Sequence, residues 1–400
     1  MPIFIVKIAS LRYDHGMKIL AIETSCDDTG ISILQEKKGQ FKVLSNIVSS
    51  QQIHQNYGGV FPMMAKREHQ FNLLPAFKKA LRESKLLISK PKFLISNKKR
   101  GVIEKILEKE QELLPQLIEF LENYEKPKLD ILAVTHGPGL EPCLWVGVNF
   151  AKSLSFIWDL PIIPVNHIEA HILVNFLPKI DESSKLKVKS SKLFPAICLV
   201  VSGGHTQLIL MKKIGTYKII GETRDDAAGE CFDKAAKILG LGYPGGPIIS
   251  QIAARQKKSG IQLPRPMIHS EDYDFSFSGL KTAVLYATRE QKHGLTQPYI
   301  AKMCTAVQDA IIDVLLKKTF NAAKYYNVKT IILGGGVSAN QELRKQFQLK
   351  AKKENLGVMI PEKNLSTDNG LMIAIASYFH RKNTTPWQKI KANANLRVSK

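Results

Sequence analysis

The chain has 400 residues, 44% of them hydrophobic and 23% charged, an ordinary globular composition with room for about two domains. No window supplies the roughly 18 uninterrupted apolar residues of a membrane helix, so no membrane partner is expected. The formal net charge is +22, which favours a polyanionic partner through counterion release, although a Lys-, Ile- and Asn-rich composition raises the pI by itself. Residues 1–16 read as a tail without a small-residue cleavage site, and Met17 opens the first convincing strand. Met17–Thr24 and Gly30–Leu34 are apolar runs joined by Ser25, Cys26, Asp27, Asp28 and Thr29, a hairpin with an acidic tip. Lys66–Arg82 has helical periodicity. Residues 85–100 are Lys-rich and irregular, and Val102–Tyr124 reads as one long charged helix.

Leu129–Thr135 is a buried-type strand, followed by the loop His136–Leu140 and a helix running to about Trp158. Pro161–Asn166 is another strand, and 178–193 a Lys/Ser-rich loop. Ala196–Val201 and Gln207–Met211 then pair across Ser202, Gly203, Gly204 and His205, repeating the opening strand–turn–strand pattern. A helix over Asp225–Leu239 carries Asp226, Glu230, Asp233 and Lys237 on one face. Thr330–Leu333, Gly334–Gly336 and a helix from about Asn340 form a strand–glycine–helix unit. A last apolar helix, Gly370–Phe379, precedes a basic tail, 386–400. Two similar halves suggest a duplicated α/β fold with a cleft between lobes.

His167 and His171 lie four apart, so in a helix both imidazoles share one face and can hold a metal with a third, oxygen ligand from elsewhere. Glu169 stands two places after the first histidine, whereas a zinc protease needs it immediately after. The glycine turns at 203–204 and 334–336 let backbone N–H groups approach a phosphate or base, yet tight turns also need glycine for steric reasons alone. The five cysteines, Cys26, Cys143, Cys198, Cys231 and Cys304, have no C-x-x-C spacing. That argues against a disulfide framework and fits a reducing, cytoplasmic compartment.

At these residues the sequence resembles the tRNA N6-adenosine threonylcarbamoyltransferase family, TsaD, of the bacterial and organellar branch. The matching stretches are ILAIETSCDDTGISIL (19–34), YGGVFPMMAKREH (57–69), AVTHGPGLEPCLWVG (133–147), NHIEAH (166–171), LVVSGGHTQL (199–208), DDAAGECFDKAAKILGLGYPGGP (225–247), DFSFSGLKTAV (274–284), LGGGVSAN (333–340) and STDNGLMIA (366–374). The resemblance implies an actin/hexokinase/Hsp70-like fold, with lobes at 17–177 and 194–365 and a helical segment, 366–385, returning to the cleft. It implies that His167, His171 and Asp368 hold one divalent metal, iron(II) first and zinc as the alternative. It further implies that Val200, Val201, Ser202, Gly203, Gly204, Asp233, Gly246 and Asn340 bind threonylcarbamoyl-AMP, with Asp233 accepting from ribose hydroxyls. The acceptor would be tRNA, and the partners a non-catalytic TsaB-like paralogue and a TsaE-like ATPase.

Residues 85–126 are longer than the family's usual connection, and 178–193 is a further insertion. Either Asp27 or Asp28 is expected to take the proton of the attacking amine, and Lys66, Arg67 and 85–100 are candidates for RNA contact. The rival readings are a non-catalytic scaffold of the same fold, a metalloprotease, and a sugar or acetate kinase of the superfamily.

Overall fold

A computed structural model describes residues 16–177, 193–256, 258–291 and 294–399. Apart from Gly16 and Leu193, the expected tail and the expected 178–193 loop lie outside these residues. β1 (Met17–Glu23) and β2 (Asp28–Lys37) form the expected hairpin, which β3 (Gln40–Ser50) continues as an antiparallel meander. β4 (Ile131–Gly137) and β5 (Ile162–Asn166) add in parallel on the other side, giving the order β3-β2-β1-β4-β5. β1 and β4 are near-continuous apolar runs because both faces of the sheet are covered.

The second sheet repeats the first strand for strand. β6 (Ala196–Val201), β7 (Thr206–Lys213) and β8 (Thr216–Glu222) make the meander, and β9 (Thr330–Gly334) and β10 (Gly357–Met359) the parallel half, in the order β10-β9-β6-β7-β8. This is the duplicated, two-lobed arrangement expected from the two sequence halves, and the actin/hexokinase/Hsp70-like one that the resemblance implies.

In the first lobe, α1 (Pro62–Glu83), α3 (Leu113–Asn123) and α4 (Glu141–Trp158) enclose Phe77, Phe120, Phe150 and Trp158. In the second, α6 (Ala228–Ile238), α7 (Gly245–Ala253), α8 (Ser278–Arg289), α9 (Gln297–Tyr325) and α10 (Gln341–Lys353) surround Phe232, Phe275, Phe277 and Phe347. A third core lies between the sheets. There Ile19, Ala133 and Val165 meet Cys198, Val200 and Ile332 across α5 (His167–Leu173) and α11 (Gly370–Phe379). It joins the lobes directly beneath the cleft.

Two expectations are corrected. Val102–Tyr124 is not one helix: α2 (Asn97–Ile106) and α3 are separate, and 97–100, expected to be irregular, form the first turn of α2. The break is held from outside, because Glu110 between them is 1% exposed and accepts from Asn149 Nδ2 of α4 at 3.1 Å. The C-terminal segment folds back along the molecule. Trp387 packs on Phe156, Ile390 is buried, Asn393 N–H donates to the His136 carbonyl (2.8 Å), and Arg397 reaches Glu222 of β8 (2.9 Å). Among the described residues, no helix is long and apolar enough to cross a membrane.

Candidate metal and nucleotide site

α5 starts at His167 because Asn166 caps it, its Oδ1 accepting from the N–H groups of Ile168 (2.9 Å) and Glu169 (3.1 Å). The helix then places His167 and His171 on one face, with ring centroids 4.6 Å apart. Asp368 arrives from the other end of the chain. Asn369 caps α11 by accepting from Met372 N–H (3.0 Å), and Gly370 lies so close to β2 that a β-carbon there would stand 2.5 Å from Ser32 N. Gly30 faces it with the same restriction, 2.7 Å from Gly370 N. Two glycines let α11 seat against β2 and deliver Asp368 to the histidines.

Asp368 Oδ1 lies 3.0 Å from His171 Nε2 and 3.6 Å from His167 Nε2, and one ligand atom from each residue falls within 4.8 Å of the others. Both ring nitrogens of His171 are buried and make no hydrogen bond among the described residues. The 3.0 Å approach therefore lacks hydrogen-bond alignment, and the His171 ring nitrogens are left without a partner. Two imidazoles and a carboxylate converging in this way fit a divalent cation. Burial lowers the pKa of His167, but Asp368 and Glu23 raise it more, to about 9, while the histidines hold Asp368 well below the usual carboxylate range despite its burial. Carboxylates that favour a proton here favour a metal ion in its place.

The cleft above is a cavity of about 2170 Å³, lined by Asp27, Asp28, His167, Ser202–His205, Asp233, Gly246, Asn340 and Asp368 among others. Burial raises the pKa of Asp27, and raises that of Asp28 to about 7 against the lowering effect of a Ser50 hydrogen bond, with Asp368 adding to both shifts. Burial likewise raises Asp233 to about 6, less the effect of the Gly245 and Gly246 amides, which donate to its Oδ1 at 2.7 and 3.4 Å. One oxygen of Asp233 is thus anchored in the chain, leaving the other to offer a ligand. Asn340 uses its Oδ1 to cap α10 at Leu343 N–H and its Nδ2 to reach Gln308.

Val200 and Val201 are buried at the end of β6 and do not line the cavity. The two glycine turns differ. β-carbons on Gly203 and Gly204 would meet open space, whereas one on Gly335 (φ 83°) would stand 2.4 Å from the Val201 carbonyl. Gly335 is needed sterically; the 203–204 turn is open to a ligand. Lys66 turns inward to the Lys109 carbonyl (3.0 Å), and Arg67 lies over the Phe71 ring.

Three residues escaped sequence reasoning. Glu23, fully buried, accepts from Ser25 N–H and Thr135 Oγ1, both at 2.6 Å, and its Oε2 lies 3.2 Å from His167 Nδ1. His69 of α1 bridges the acidic turn, Nδ1 to Thr29 Oγ1 (2.7 Å) and Nε2 to the Cys26 carbonyl (2.8 Å), and burial lowers its pKa to about 4. His205 lines the cavity, with its pKa held at about 4 by burial and then by His167 and His171. Of the three, only His205 gave a signal, standing within a glycine turn.

The family model described as tRNA N6-adenosine threonylcarbamoyltransferase matches residues 42–94 and 92–375, its two parts meeting inside the 85–126 segment. A tRNA N6-adenosine threonylcarbamoyltransferase of Thermosipho africanus is 40% identical over 385 residues, covering 96% of this chain and 100% of that one. Its counterpart in Persephonella marina is 39% identical over 391 residues, 96% of each chain. Among solved structures, full-length HypF in its phosphate- and nucleotide-bound form aligns with a TM-score of 0.50 at 12% identity. The alignment covers 93% of this chain and 47% of HypF, a likeness of fold alone. With the family model and near full-length relatives in agreement, the chain belongs to the tRNA N6-adenosine threonylcarbamoyltransferase family and is a tRNA-modifying transferase.

Proposed function

We propose that this chain transfers the threonylcarbamoyl group of threonylcarbamoyl-AMP to the N6 amine of the adenosine next to the anticodon in tRNAs that read ANN codons. The amine nitrogen bonds to the carbamoyl carbon, the bond from that carbon to the phosphate oxygen breaks, and AMP leaves with the electron pair. The observation that carries this reading is the convergence of His167, His171 and Asp368 within 4.8 Å on the wall of a cavity bounded by the open Ser202–His205 turn.

Those three residues would hold one divalent ion, iron(II) first and zinc as the alternative, which supplies a positive charge for donor oxygens. The Gly203 and Gly204 amides would receive the phosphate and the free Asp233 oxygen the ribose hydroxyls, and Gly246 and Asn340 line the same cavity. Val200 and Val201 serve through the β6 main chain that carries the turn. The amine proton needs an acceptor, and Asp27 and Asp28 both line the cavity. Asp28, with a pKa of about 7, suits a base working near neutrality. Holding donor and amine together supplies a proximity term of roughly 7–11 kcal/mol in favourable cases.

In this reading the chain acts in the cytoplasm with a non-catalytic TsaB-like relative and a TsaE-like ATPase. A non-catalytic scaffold of the same fold is the second reading. It is disfavoured because a scaffold has no use for a buried, aligned ligand triad. The test is a reconstituted transfer assay with unmodified tRNA and preformed threonylcarbamoyl-AMP, with and without chelator. Chelator-sensitive formation of N6-threonylcarbamoyladenosine supports the proposal; its absence from a metal-loaded preparation contradicts it.

A further inference from the structure

Two aromatic rings at the lip of the cavity have no part in the chemistry above. Tyr57 and Phe61 are each 49% exposed, with ring centroids 5.2 Å apart in an edge-on arrangement. The residues between them, Gly58, Gly59 and Val60, line the cavity, so the rings adjoin its wall. A β-carbon on Gly59 would meet no atom within 4 Å, and one on Gly58 would meet only the Lys237 side chain, 3.8 Å away. The loop thus touches Lys237 at Gly58 and faces open space at Gly59.

Charge along the same rim supports an anionic visitor. Lys234 is paired with Glu230 and Lys345 with Glu342, whereas Lys237, Arg255 and Lys363 make no ion pair among the described residues. Exposed aromatic faces beside unpaired cations suit nucleic acid, whose bases stack and whose phosphates are anionic. A purely apolar protein partner would leave those cations buried without counter-charges. Size points the same way. The cavity of about 2170 Å³ is at least twice the roughly 300–1,000 Å³ of an ordinary small-ligand pocket, so one nucleotide does not fill it. An exocyclic amine can react inside a cavity only if its base leaves the stack of its neighbours, and the lost stacking must be replaced.

We propose that Tyr57 and Phe61 form the stacking platform for a nucleobase of the RNA acceptor as it enters the cavity beside Lys237. The inference rests on tRNA being the acceptor. It is tested by measuring the binding of unmodified tRNA and, separately, of AMP to the full-length chain. Tyr57→Ala and Phe61→Ala are expected to weaken tRNA binding by roughly 5- to 150-fold and to leave AMP binding unchanged. Tyr57→Phe and Phe61→Trp, which keep a π-face, should recover it. Met63→Ala, which removes a neighbouring exposed but non-aromatic side chain, should have no effect.

Alanine variants that bind tRNA like the wild type would overturn the proposal. So would equal losses of AMP and tRNA binding, which would make the rings mere supports of the loop, or a Met63→Ala defect as large as theirs, which would indicate a general apolar contact. A wild-type chain that fails to bind tRNA at all would instead overturn the acceptor assignment on which the inference rests.

Discussion

His167 Nδ1 lies 3.2 Å from Glu23 Oε2, so the first strand and the helix of the candidate metal site, 144 residues later, share one buried contact. Glu23 holds Nδ1 as the donor, which leaves Nε2, 3.6 Å from Asp368 Oδ1, as the nitrogen that a cation would take in place of a proton. Glu23 is itself fixed by Ser25 N–H and Thr135 Oγ1. Glu23→Gln keeps the volume and removes the charge, and is expected to lower metal affinity by roughly 10- to 100-fold with the fold intact. Competition against a chelator of known affinity, with circular dichroism as control, checks this; unchanged affinity would remove Glu23 from the site.

The contact of Gly370 with β2 sets where Asp368 stands. Gly370→Ala puts a β-carbon 2.5 Å from Ser32 N and 2.7 Å from the Ile31 carbonyl carbon, an overpacking expected to cost about 1–3 kcal/mol. Both melting temperature and metal occupancy should fall. Gly101→Ala in α2, where open space awaits the methyl, should leave metal occupancy unchanged and, by helix propensity, raise the melting temperature slightly. A destabilised Gly370→Ala chain with full metal occupancy would show that Asp368 is positioned by something else.

Asp28 is shifted by burial from an ordinary 3.8 to about 7, so the folded chain binds a proton there more tightly than the unfolded chain. Its contribution to stability is fully present below pH 3.8 and is lost as the pH rises through about 7. Asp28→Asn should therefore melt above the wild type at pH 8, with the gap closing toward pH 4. In its proposed role as base, transfer should fall about tenfold per pH unit below the inflection, and Asp28→Asn should lose that dependence. Because Asp368 contributes to the upward shift, bound metal should move the melting inflection to lower pH. An inflection insensitive to Asp28→Asn would assign it to another group.

His69 accepts from Thr29 through Nδ1 and donates to the Cys26 carbonyl through Nε2, since a carbonyl can only accept. It pins the turn bearing Asp27 and Asp28 to α1. His69→Ala leaves the buried Thr29 hydroxyl and the half-buried Cys26 carbonyl without this partner, and should destabilise the chain by about 1–3 kcal/mol. If the turn carries the base, kcat should fall while AMP affinity holds, with partial recovery in His69→Gln. Loss of AMP binding in step with kcat would make the role a general structural one.

Much of the site is legible in the sequence because its chemistry is local. The His167/His171 spacing, the acidic tip and the glycine turns are read from short stretches, while the family resemblance brings in Asp368 from 197 positions beyond His171. What stayed hidden depends on contacts between distant segments. Glu23 reads as the polar end of an apolar run, and only Thr135 and His167 reveal its purpose. β3 and β8 mix Lys, Ser and Tyr with apolar residues because each is an edge strand, paired on one side only. The break between α2 and α3 was masked because apolar residues continue in helical register across it, while the cause lies in the burial of Glu110 against α4.

Metal stoichiometry of the full-length chain, purified and loaded anaerobically with iron(II), tests the triad most directly. The wild type should hold one ion per chain, and His171→Ala and Asp368→Ala essentially none while keeping their secondary structure. A wild-type chain that binds no metal, or alanine variants that bind as much as it does, would contradict the assignment.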